Sequence, residues 1–503
     1  MRTLTKGLTN SILFLALLSG GTAWASSHTD SPAAANNPVA DITQFYAFMN
    51  PPCTVSGGAG CEAPPEELIL AFTVAPAASE ATRFSDKVMY HVYFENDVGT
   101  DSQIDCSVSA DQMVTCAGLD GLSVTTAVGE IGVNGDIRVF AGLRDDPRFF
   151  DQQTLSRFGE IGVQAFNAPG IDTVAGSNTL AIVIGIKYNS FPAGSGAQDT
   201  NGHAVNVQKV WVASERTESG INAGVSGAWY NPDQNGQGWA IELLETAAGD
   251  KKFAYYFYGY DDNGDRLWLL GVADATGSSV FTVDVLRGSG TGHGSSFDPG
   301  SVDYETVGSA TFTFTDCSNG TVAFTSSTSD LSDYSIPVTR LTNIASADCI
   351  FTEAGQIDRR GRPMASTLIS EDNRDAYNAD SNPGTWASSY GAAFEAALTG
   401  IDSADGIGGN AFNSPAVIAP ILADDRLLVD LEWSACHGVW GVELSMLVPQ
   451  PNTNDCGGRL LDENYVETFF SMTIASFDPM YDDFVTANDL PFSAEFPFLA
   501  APH

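Results

Sequence analysis

Basic residues are scarce in this chain of 503 residues, where 22 Lys and Arg stand against 62 Asp and Glu and give a formal net charge of −40. A surface this negative repels phosphate backbones and anionic lipid headgroups, so the composition excludes nucleic acid and acidic membrane surfaces as partners. The same charge attracts cations. Because 43% of the residues are hydrophobic, the chain can bury a core, and its length predicts more than one domain.

The familiar catalytic and nucleotide-binding motifs are absent. The sequence has no GxSxG, no HExxH, no P-loop and no GxGxxG that precedes a helix. Six histidines leave few general bases or metal ligands. Ser434, Cys436 and His437 are close in sequence, but the cysteine is expected to be in a disulfide. Motifs therefore assign no reaction.

Long apolar runs are missing except near the start. Residues 1–25 combine Arg2 and Lys6, a short apolar segment, and Ala23 and Ala25 at the spacing of a peptidase cleavage site. The run is too short to cross a bilayer, and no later segment is apolar enough to do so. The sequence predicts a cleaved signal peptide and a periplasmic or extracellular mature protein without an integral membrane segment.

The eight cysteines include no CxxC, and none lies at zinc-finger spacing from a histidine. An oxidising compartment favours disulfides, although eight cysteines alone do not fix the connectivity. Pairing of sequence neighbours is the favoured interpretation, because each pair brackets a turn-rich loop. The expected pairs are Cys53 with Cys61, Cys106 with Cys116, Cys317 with Cys349, and Cys436 with Cys456.

Alternating hydrophobic residues indicate a chain dominated by strands. The strands expected before residue 217 are 67–74, 87–95, 136–143, 179–188 and 207–213, and a later strand is expected at 425–432. Helices are predicted at 151–167, where Asp151 can cap the first turn, and at 385–400 and 461–474.

Residues 217–350 differ in texture, being rich in Gly, Ser, Thr and aromatic residues. Strands are expected at 253–260, 266–273, 280–286, 311–315 and 321–325. Residues 261–265 (DDNGD) are typical of a hairpin turn, since Asn-Gly accepts positive φ. The block is interpreted as an all-β module, which Cys317 and Cys349 would staple at its exit.

Motifs on both sides of this block occur in a recognisable order. They include DITQFYAF within 26–51, DDPRFF within 139–151, RGRP and DAYN within 356–378, GGRLLDE at 457–463, and FPFLAAPH at the end of 488–503. In this order they resemble the bacterial domain of unknown function family 4331. The resemblance covers both ends of the chain. It implies an architecture and assigns no activity.

The middle block carries motifs of its own, GAWY at 227–230, GQGW at 236–239 and FDP at 297–299. These resemble a different β-rich module of exported proteobacterial proteins. The expected fold class is therefore α+β and β-rich. A discontinuous outer domain, 26–216 and 351–503, is interrupted by an inserted all-β module, 217–350, and insertion at a surface loop is physically cheap.

His28 and Asp30 are two residues apart, so in an extended chain both side chains lie on one face and can bind one metal ion. The sequence closes on His503, whose ring and carboxylate are further potential ligands. Because domain termini often lie close together, His28, Asp30 and His503 are the candidate ligands of a metal site, for Ca²⁺ or a transition metal. The competing interpretation is a histidine that is hydrogen-bonded to backbone, and it is favoured because histidines outside a full ligand set are usually not ligands.

Two other polar clusters have competing interpretations. Arg144, Asp145 and Asp146, with Asp151 beyond, can form a Ca²⁺ loop, or can cap the next helix and pair with arginines. Capping is favoured because it needs no ligand. Residues 358–362 (DRRGR) can bind a carboxylate or phosphate, or can form internal ion pairs with the surplus acids. Internal pairing is favoured.

Aromatic residues concentrate in the middle block. They are Trp229, Tyr230, Trp239, Tyr255, Tyr256, Phe257, Tyr258, Tyr260 and Trp268. Exposed rings of this kind stack on sugars or polymers, whereas inward rings form the core that a small β-domain needs. Alternation along 253–260 predicts one set of each.

These features predict an exported protein that binds a ligand, a matrix component such as a polysaccharide, or an envelope protein. A divalent cation is the expected cofactor. The alternative is a metal-dependent enzyme, for example a hydrolase, with its site at His28, Asp30 and His503.

Overall fold

A computed structural model describes residues 32–35, 37–50, 66–96, 99, 101–167, 169–192, 206–245, 251–275, 277–443 and 455–503. The expected signal peptide, the Cys53 and Cys61 pair, and the predicted ligands His28 and Asp30 lie outside these residues. The chain divides into two units. The discontinuous unit comprises the chain up to Glu215 together with Gln356–His503, and the barrel unit comprises Arg216–Gly355. These bounds lie close to the predicted 217–350 insertion.

The strands, in chain order, are β1 Ile42–Asn50, β2 Glu67–Val74, β3 Val88–Asn96, β4 Asp101–Val108, β5 Met113–Gly118, β6 Leu122–Ala127, β7 Ile131–Asn134, β8 Ile137–Asp145, β9 Asn178–Lys187, β10 Val207–Arg216, β11 Gly220–Ile221, β12 Gly227–Tyr230, β13 Gly238–Glu245, β14 Lys251–Tyr260, β15 Arg266–Asp274, β16 Val280–Ser289, β17 Asp303–Phe314, β18 Asn319–Ser326, β19 Tyr334–Arg340, β20 Phe351–Thr352, β21 Gly355–Arg360 and β22 Leu427–Asp430. The helices are α1 Pro32–Ala35, α2 Gln152–Ile161, α3 Glu371–Ala379, α4 Pro383–Asp402, α5 Pro415–Ala423 and α6 Tyr465–Ala475. The predicted α+β, β-rich fold class is confirmed.

Two sheets form the framework of the discontinuous unit. One has five strands in the order β1-β2-β9-β8-β7, and the other has seven, in the order β21-β10-β3-β4-β5-β6 with β22 also paired to β10. Strand β3 alternates between buried and half-buried residues, which is the pattern that its sequence predicts. Strand β9 is buried along nearly its whole length, because it lies between β2 and β8 and both of its faces are covered.

Helix boundaries follow local capping chemistry. The Asp151 carboxylate accepts hydrogen bonds from the backbone N–H groups of Gln153 and Thr154, so the predicted cap of α2 is confirmed. The predicted extent of 151–167 is too long. The α-helix ends at Gly162, whose φ of 61° lies in the left-handed region, and a 3₁₀ turn follows. The predicted helix 461–474 instead begins after Asn464, whose side chain accepts a hydrogen bond from the backbone N–H of Glu467 and caps the helix.

The barrel unit contains a closed barrel of the eight strands β12 to β19 in sequence order, and a short β11-β20 pair. The inward aromatic set forms its core. Trp229 is 1% exposed, and the rings of Phe253 and Phe281 stack with centroids 4.4 Å apart. The predicted hairpin is present between β14 and β15. There the Asp261 carboxylate accepts hydrogen bonds from the turn, and Gly264 has a φ of 86°.

Three of the predicted disulfides are present in the described residues: Cys106–Cys116, Cys317–Cys349 and Cys436–Cys456. The first joins residues that lie directly opposite each other on β4 and β5. No helix in the described part of the chain has the length and apolar character that a membrane crossing requires.

Candidate metal site

The candidate site is built on Asp145, the last residue of β8, which is 1% exposed. Its Oδ2 accepts a hydrogen bond of 2.6 Å from the Asn488 side chain. Its Oδ1 lies 2.9 Å from His503 Nε2 and accepts no hydrogen bond from any other group in the described residues. Asp145 thus presents one buried carboxylate oxygen to the imidazole.

Backbone and amide contacts hold the other two residues. The backbone N–H of His503 donates to Asn178 Oδ1 at 2.8 Å, which fixes the histidine beside the start of β9. Asp489 Oδ2 accepts a 2.7 Å hydrogen bond from the backbone N–H of Gly176 and lies 3.3 Å from His503 Nε2. Three separate parts of the discontinuous unit therefore converge on one point.

The spacing of the three side chains matches a coordination shell. One ligand atom from each of Asp145, Asp489 and His503 lies within 4.8 Å of the other two. Ligands about 2.1 Å from one ion, and about 90–110° apart, lie about 3.0–3.4 Å from each other. The two distances from His503 Nε2, 2.9 and 3.3 Å, are close to that range.

The electrostatics of the cluster favour a positive ion. Burial raises the pKa of Asp145 to about 6, and the neighbouring Asp489 adds to the rise, while Asn488 and His503 oppose it. Burial also raises the pKa of Asp172, again with a contribution from Asp489. Asp172 Oδ2 is buried without a hydrogen-bond partner, as is Asn488 Oδ1. Unsatisfied buried oxygens close to two carboxylates are an environment that a cation stabilises.

The sequence located this site only in part. Of the predicted ligands, His503 is in the cluster, whereas His28 and Asp30 lie outside the described residues. Asp145 was assigned to a calcium loop or to helix capping. In the structure Asp151 alone caps α2, Asp146 pairs with Arg148 at 3.9 Å, and Asp145 instead faces His503. Asp489 was not predicted, and its position in the closing motif 488–503 was the available signal.

The run 358–362 forms internal contacts, as the favoured interpretation held. Arg359, Arg360 and Arg362 are each no more than 2% exposed. Their partners include Asp425, the Ser366 hydroxyl, the backbone oxygen of Ile42, and Glu443. Gly361 is required here, because a Cβ would lie 1.7 Å from the backbone oxygen of Asp425.

The Ser434, Cys436 and His437 group offers no free thiol. Cys436 is bonded to Cys456, and His437 Nδ1 lies 2.8 Å from Asp455 Oδ2. His437 is 66% exposed, so this histidine and carboxylate pair is open to solvent, unlike the buried oxygen of Asp145.

A narrow pocket in the discontinuous unit is lined in part by Arg459, Glu463 and Tyr465. Burial raises the pKa of Glu463 to about 7, against the hydrogen bond from the Val439 N–H and the charge of Arg459. Glu463 Oε2 has no hydrogen-bond partner. This carboxyl is therefore largely protonated below pH 7 and loses its proton around neutral pH.

Glu463 predicts a pH dependence of stability. Its folded pKa lies above the ordinary value of 4.5, so between about pH 4.5 and 7 the folded state binds more protons than the unfolded state. Stability from this group is therefore complete below pH 4.5 and is lost as the pH rises to 7. Glu463→Gln should remove the effect. We expect the difference in unfolding free energy, wild type minus variant, to fall by about 1–2 kcal/mol from pH 4.5 to pH 7. This is less than the pKa difference alone would give, because solvent reaches the half-buried carboxyl.

Urea denaturation of both proteins at pH 4.5 and pH 7.5 measures this difference, and groups common to the two proteins cancel. Glu395→Gln, on the exposed face of α4, is the matched control and should show no such change. An unchanged difference across the window would show that the pKa of Glu463 is the same in the folded and unfolded states.

Comparison with protein-family models, with curated proteins and with solved structures finds no match to this chain. Function is therefore argued from the site itself.

Proposed function

We propose that this protein is an exported binding protein that holds one divalent transition-metal ion through Asp145, Asp489 and His503. The observation that carries the proposal is the convergence of the three ligand atoms, one of them a buried carboxylate oxygen that lies 2.9 Å from the His503 ring nitrogen. The three disulfides support an oxidising compartment. The family 4331 resemblance belongs to the same proposal, since the ligands lie in the motifs 139–151 and 488–503 that carry it.

The ligand chemistry distinguishes between cations. Ca²⁺ and Mg²⁺ prefer shells made entirely of oxygen, whereas an imidazole nitrogen favours zinc and its transition-metal neighbours. Two carboxylate oxygens and one histidine nitrogen are a set that Zn²⁺ accepts. We therefore propose Zn²⁺ as the preferred ion and Ca²⁺ as a much weaker one.

The second candidate is a metal-dependent enzyme, for example a hydrolase. One observation favours it: three protein ligands leave a coordination position open, as in catalytic zinc sites, where structural sites have four. An ion there would supply Lewis-acid chemistry and an acidified water. In that case Asp172, a half-buried carboxyl whose pKa the charge of Asp489 helps to raise, is the nearby group suited to orient the water or accept its proton.

The metal proposal predicts stoichiometric Zn²⁺ binding. Isothermal titration of full-length, untagged and chelator-stripped protein with ZnCl₂ should give one site, and His503→Ala or Asp489→Asn should weaken it at least about 100-fold. His437→Ala removes a histidine that is also paired with a carboxylate but is exposed, and it should leave the affinity unchanged. The same titration with CaCl₂ measures selectivity and should show much weaker binding.

Wild-type protein that takes up no zinc, or His503→Ala that binds it as tightly as wild type, would overturn the proposal. The enzyme candidate is tested separately by zinc-dependent hydrolysis of activated esters and phosphate esters. Activity that disappears in Asp489→Asn together with the metal would favour it. Stoichiometric metal without hydrolysis would favour the binding protein.

A further inference from the structure

The outward face of the barrel carries a line of exposed aromatic rings. Tyr258 on β14, Trp268 on β15 and Tyr304 on β17 are 58%, 45% and 54% exposed. We refer to these three residues as the aromatic row. Tyr258 and Trp268 belong to the outward set that the sequence left open between sugar stacking and core packing, whereas Tyr304 was not predicted. Large exposed rings on adjacent strands form an apolar patch of the kind that marks binding surfaces.

Strand register places the three rings on one line across the sheet. Tyr258 lies directly opposite Trp268 in the β14-β15 pair, so the two side chains share a face. Tyr304 lies directly opposite Gly288 in the β16-β17 pair. The line therefore runs across four neighbouring strands, with glycine at the position on β16.

Gly288 leaves room for the Trp268 and Tyr304 rings above β16. A Cβ built on it would lie 3.3 Å from Trp268 Cζ2 and 3.3 Å from Tyr304 Cε1. Both rings therefore extend over the glycine from opposite sides and lie close to the backbone of β16. A side chain here would lift or separate them. No side chain of β16 therefore stands between the Trp268 and Tyr304 rings.

The size of this surface suits a sugar chain. Three strand spacings of about 4.8 Å separate Tyr258 from Tyr304, a span of about 14 Å that accommodates roughly three pyranose rings in a row. The apolar faces of pyranose rings stack on aromatic side chains, and the tyrosine hydroxyls can hydrogen-bond sugar hydroxyls at the edge. Aromatic rings also lose little conformational entropy on binding.

Charge selects among such polymers. Residues 216–355 include 18 acidic and six basic residues, so the barrel unit repels acidic polysaccharides and nucleic acids. We propose that the aromatic row of the barrel unit binds an uncharged polysaccharide by stacking its pyranose rings on Tyr258, Trp268 and Tyr304. This site is independent of the proposed metal site, which belongs to the discontinuous unit.

Affinity gel electrophoresis of the full-length protein tests the proposal. The probes are soluble xylan, mixed-linkage β-glucan and hydroxyethylcellulose, with alginate as the acidic comparison. We expect retardation by at least one uncharged polymer and none by alginate. Trp268→Ala and Tyr304→Ala should each weaken binding at least about 10-fold, which corresponds to about 1.4 kcal/mol, because each removes one stacking surface.

Two further variants keep the test specific. Gly288→Val retains all three aromatic residues but inserts a side chain that displaces the Trp268 and Tyr304 rings, and it should weaken binding to a similar degree. Phe297→Ala removes an equally exposed ring outside the row and should bind like wild type. Circular dichroism confirms that each variant is folded. No retardation by any uncharged polymer, equal binding by Trp268→Ala, or concentration-dependent self-association abolished by Trp268→Ala would each overturn the proposal.

Discussion

Replacement of Arg359 by alanine is expected to lower the unfolding free energy of the discontinuous unit by about 3–5 kcal/mol. The Arg359 guanidinium is stacked between two rings, 4.0 Å from the centroid of Tyr377 and 3.6 Å from that of Trp386. Its Nε donates to the Tyr377 backbone oxygen at 2.9 Å, and its Nη1 lies 3.4 Å from Asp425 Oδ2. Truncation removes all of these contacts and leaves a cavity between aromatic rings.

The main cost arises at Asp425, which is 2% exposed. Burial raises the pKa of Asp425, and Arg359 is the strongest of the charges that lower it again. Without Arg359 the carboxylate must either remain charged in the interior or take up a proton. Arg359→Lys should also destabilise the protein, because a lysine ammonium cannot stack as a plane between two rings.

Urea denaturation with hydrogen exchange resolved by strand measures the effect on each unit. Arg287→Met is the control. Arg287 in the barrel unit forms ion pairs with Glu305 and Asp330, but it is 27% exposed. Its replacement should therefore lower the unfolding free energy far less than that of Arg359. The double variant Arg359→Met with Asp425→Ala should recover much of the loss, because it leaves no unpaired buried charge. Equal destabilisation by the single and double variants would attribute the effect to packing alone.

Local patterns predicted the fold well where one face of a strand is buried. Strand β3 was identified from alternation, and the DDNGD turn from its Asn-Gly pair. Strand β1 has no alternation, because eight of its nine residues are buried, and it entered the sequence analysis only as a motif of the resemblance. The excess length of α2 arose from Gly162, whose left-handed backbone ends a helix that hydrophobic spacing alone would continue.

The candidate metal site shows what one sequence cannot supply. His503 was predicted as a candidate metal ligand. In the structure its neighbours are Asp145, at the end of β8, and Asp489, hundreds of residues from Asp145 in the chain. Among 62 acids, no local signal indicates which carboxylates the fold brings together. The sequence marked Asp145 only as part of an acidic loop. Its place in the candidate site depends on its burial and on its tertiary contact with His503, which only the folded chain shows.

Removal of the Cys317–Cys349 disulfide should destabilise the barrel unit by about 3–4 kcal/mol. The bond joins the turn between β17 and β18 to the segment just before β20, a separation of 32 residues. Without the disulfide, the segment that carries β20 is held mainly by its pairing with β11, the first strand of the unit in chain order. The unfolded chain then gains the entropy of an open loop, and longer loops gain more.

The paired substitution Cys317→Ala with Cys349→Ala isolates this contribution, and hydrogen exchange of β12 to β19 reports it. The comparison is Cys106→Ala with Cys116→Ala, which removes a bond of only ten residues' separation between directly opposed residues of β4 and β5. That change should act on the discontinuous unit and leave the barrel strands protected. If the Cys317 and Cys349 variant instead lost protection in β1 to β9 as readily as in the barrel, the two units would unfold as one body. The disulfide would then stabilise the whole chain, and the barrel unit would not be an independently stable insertion.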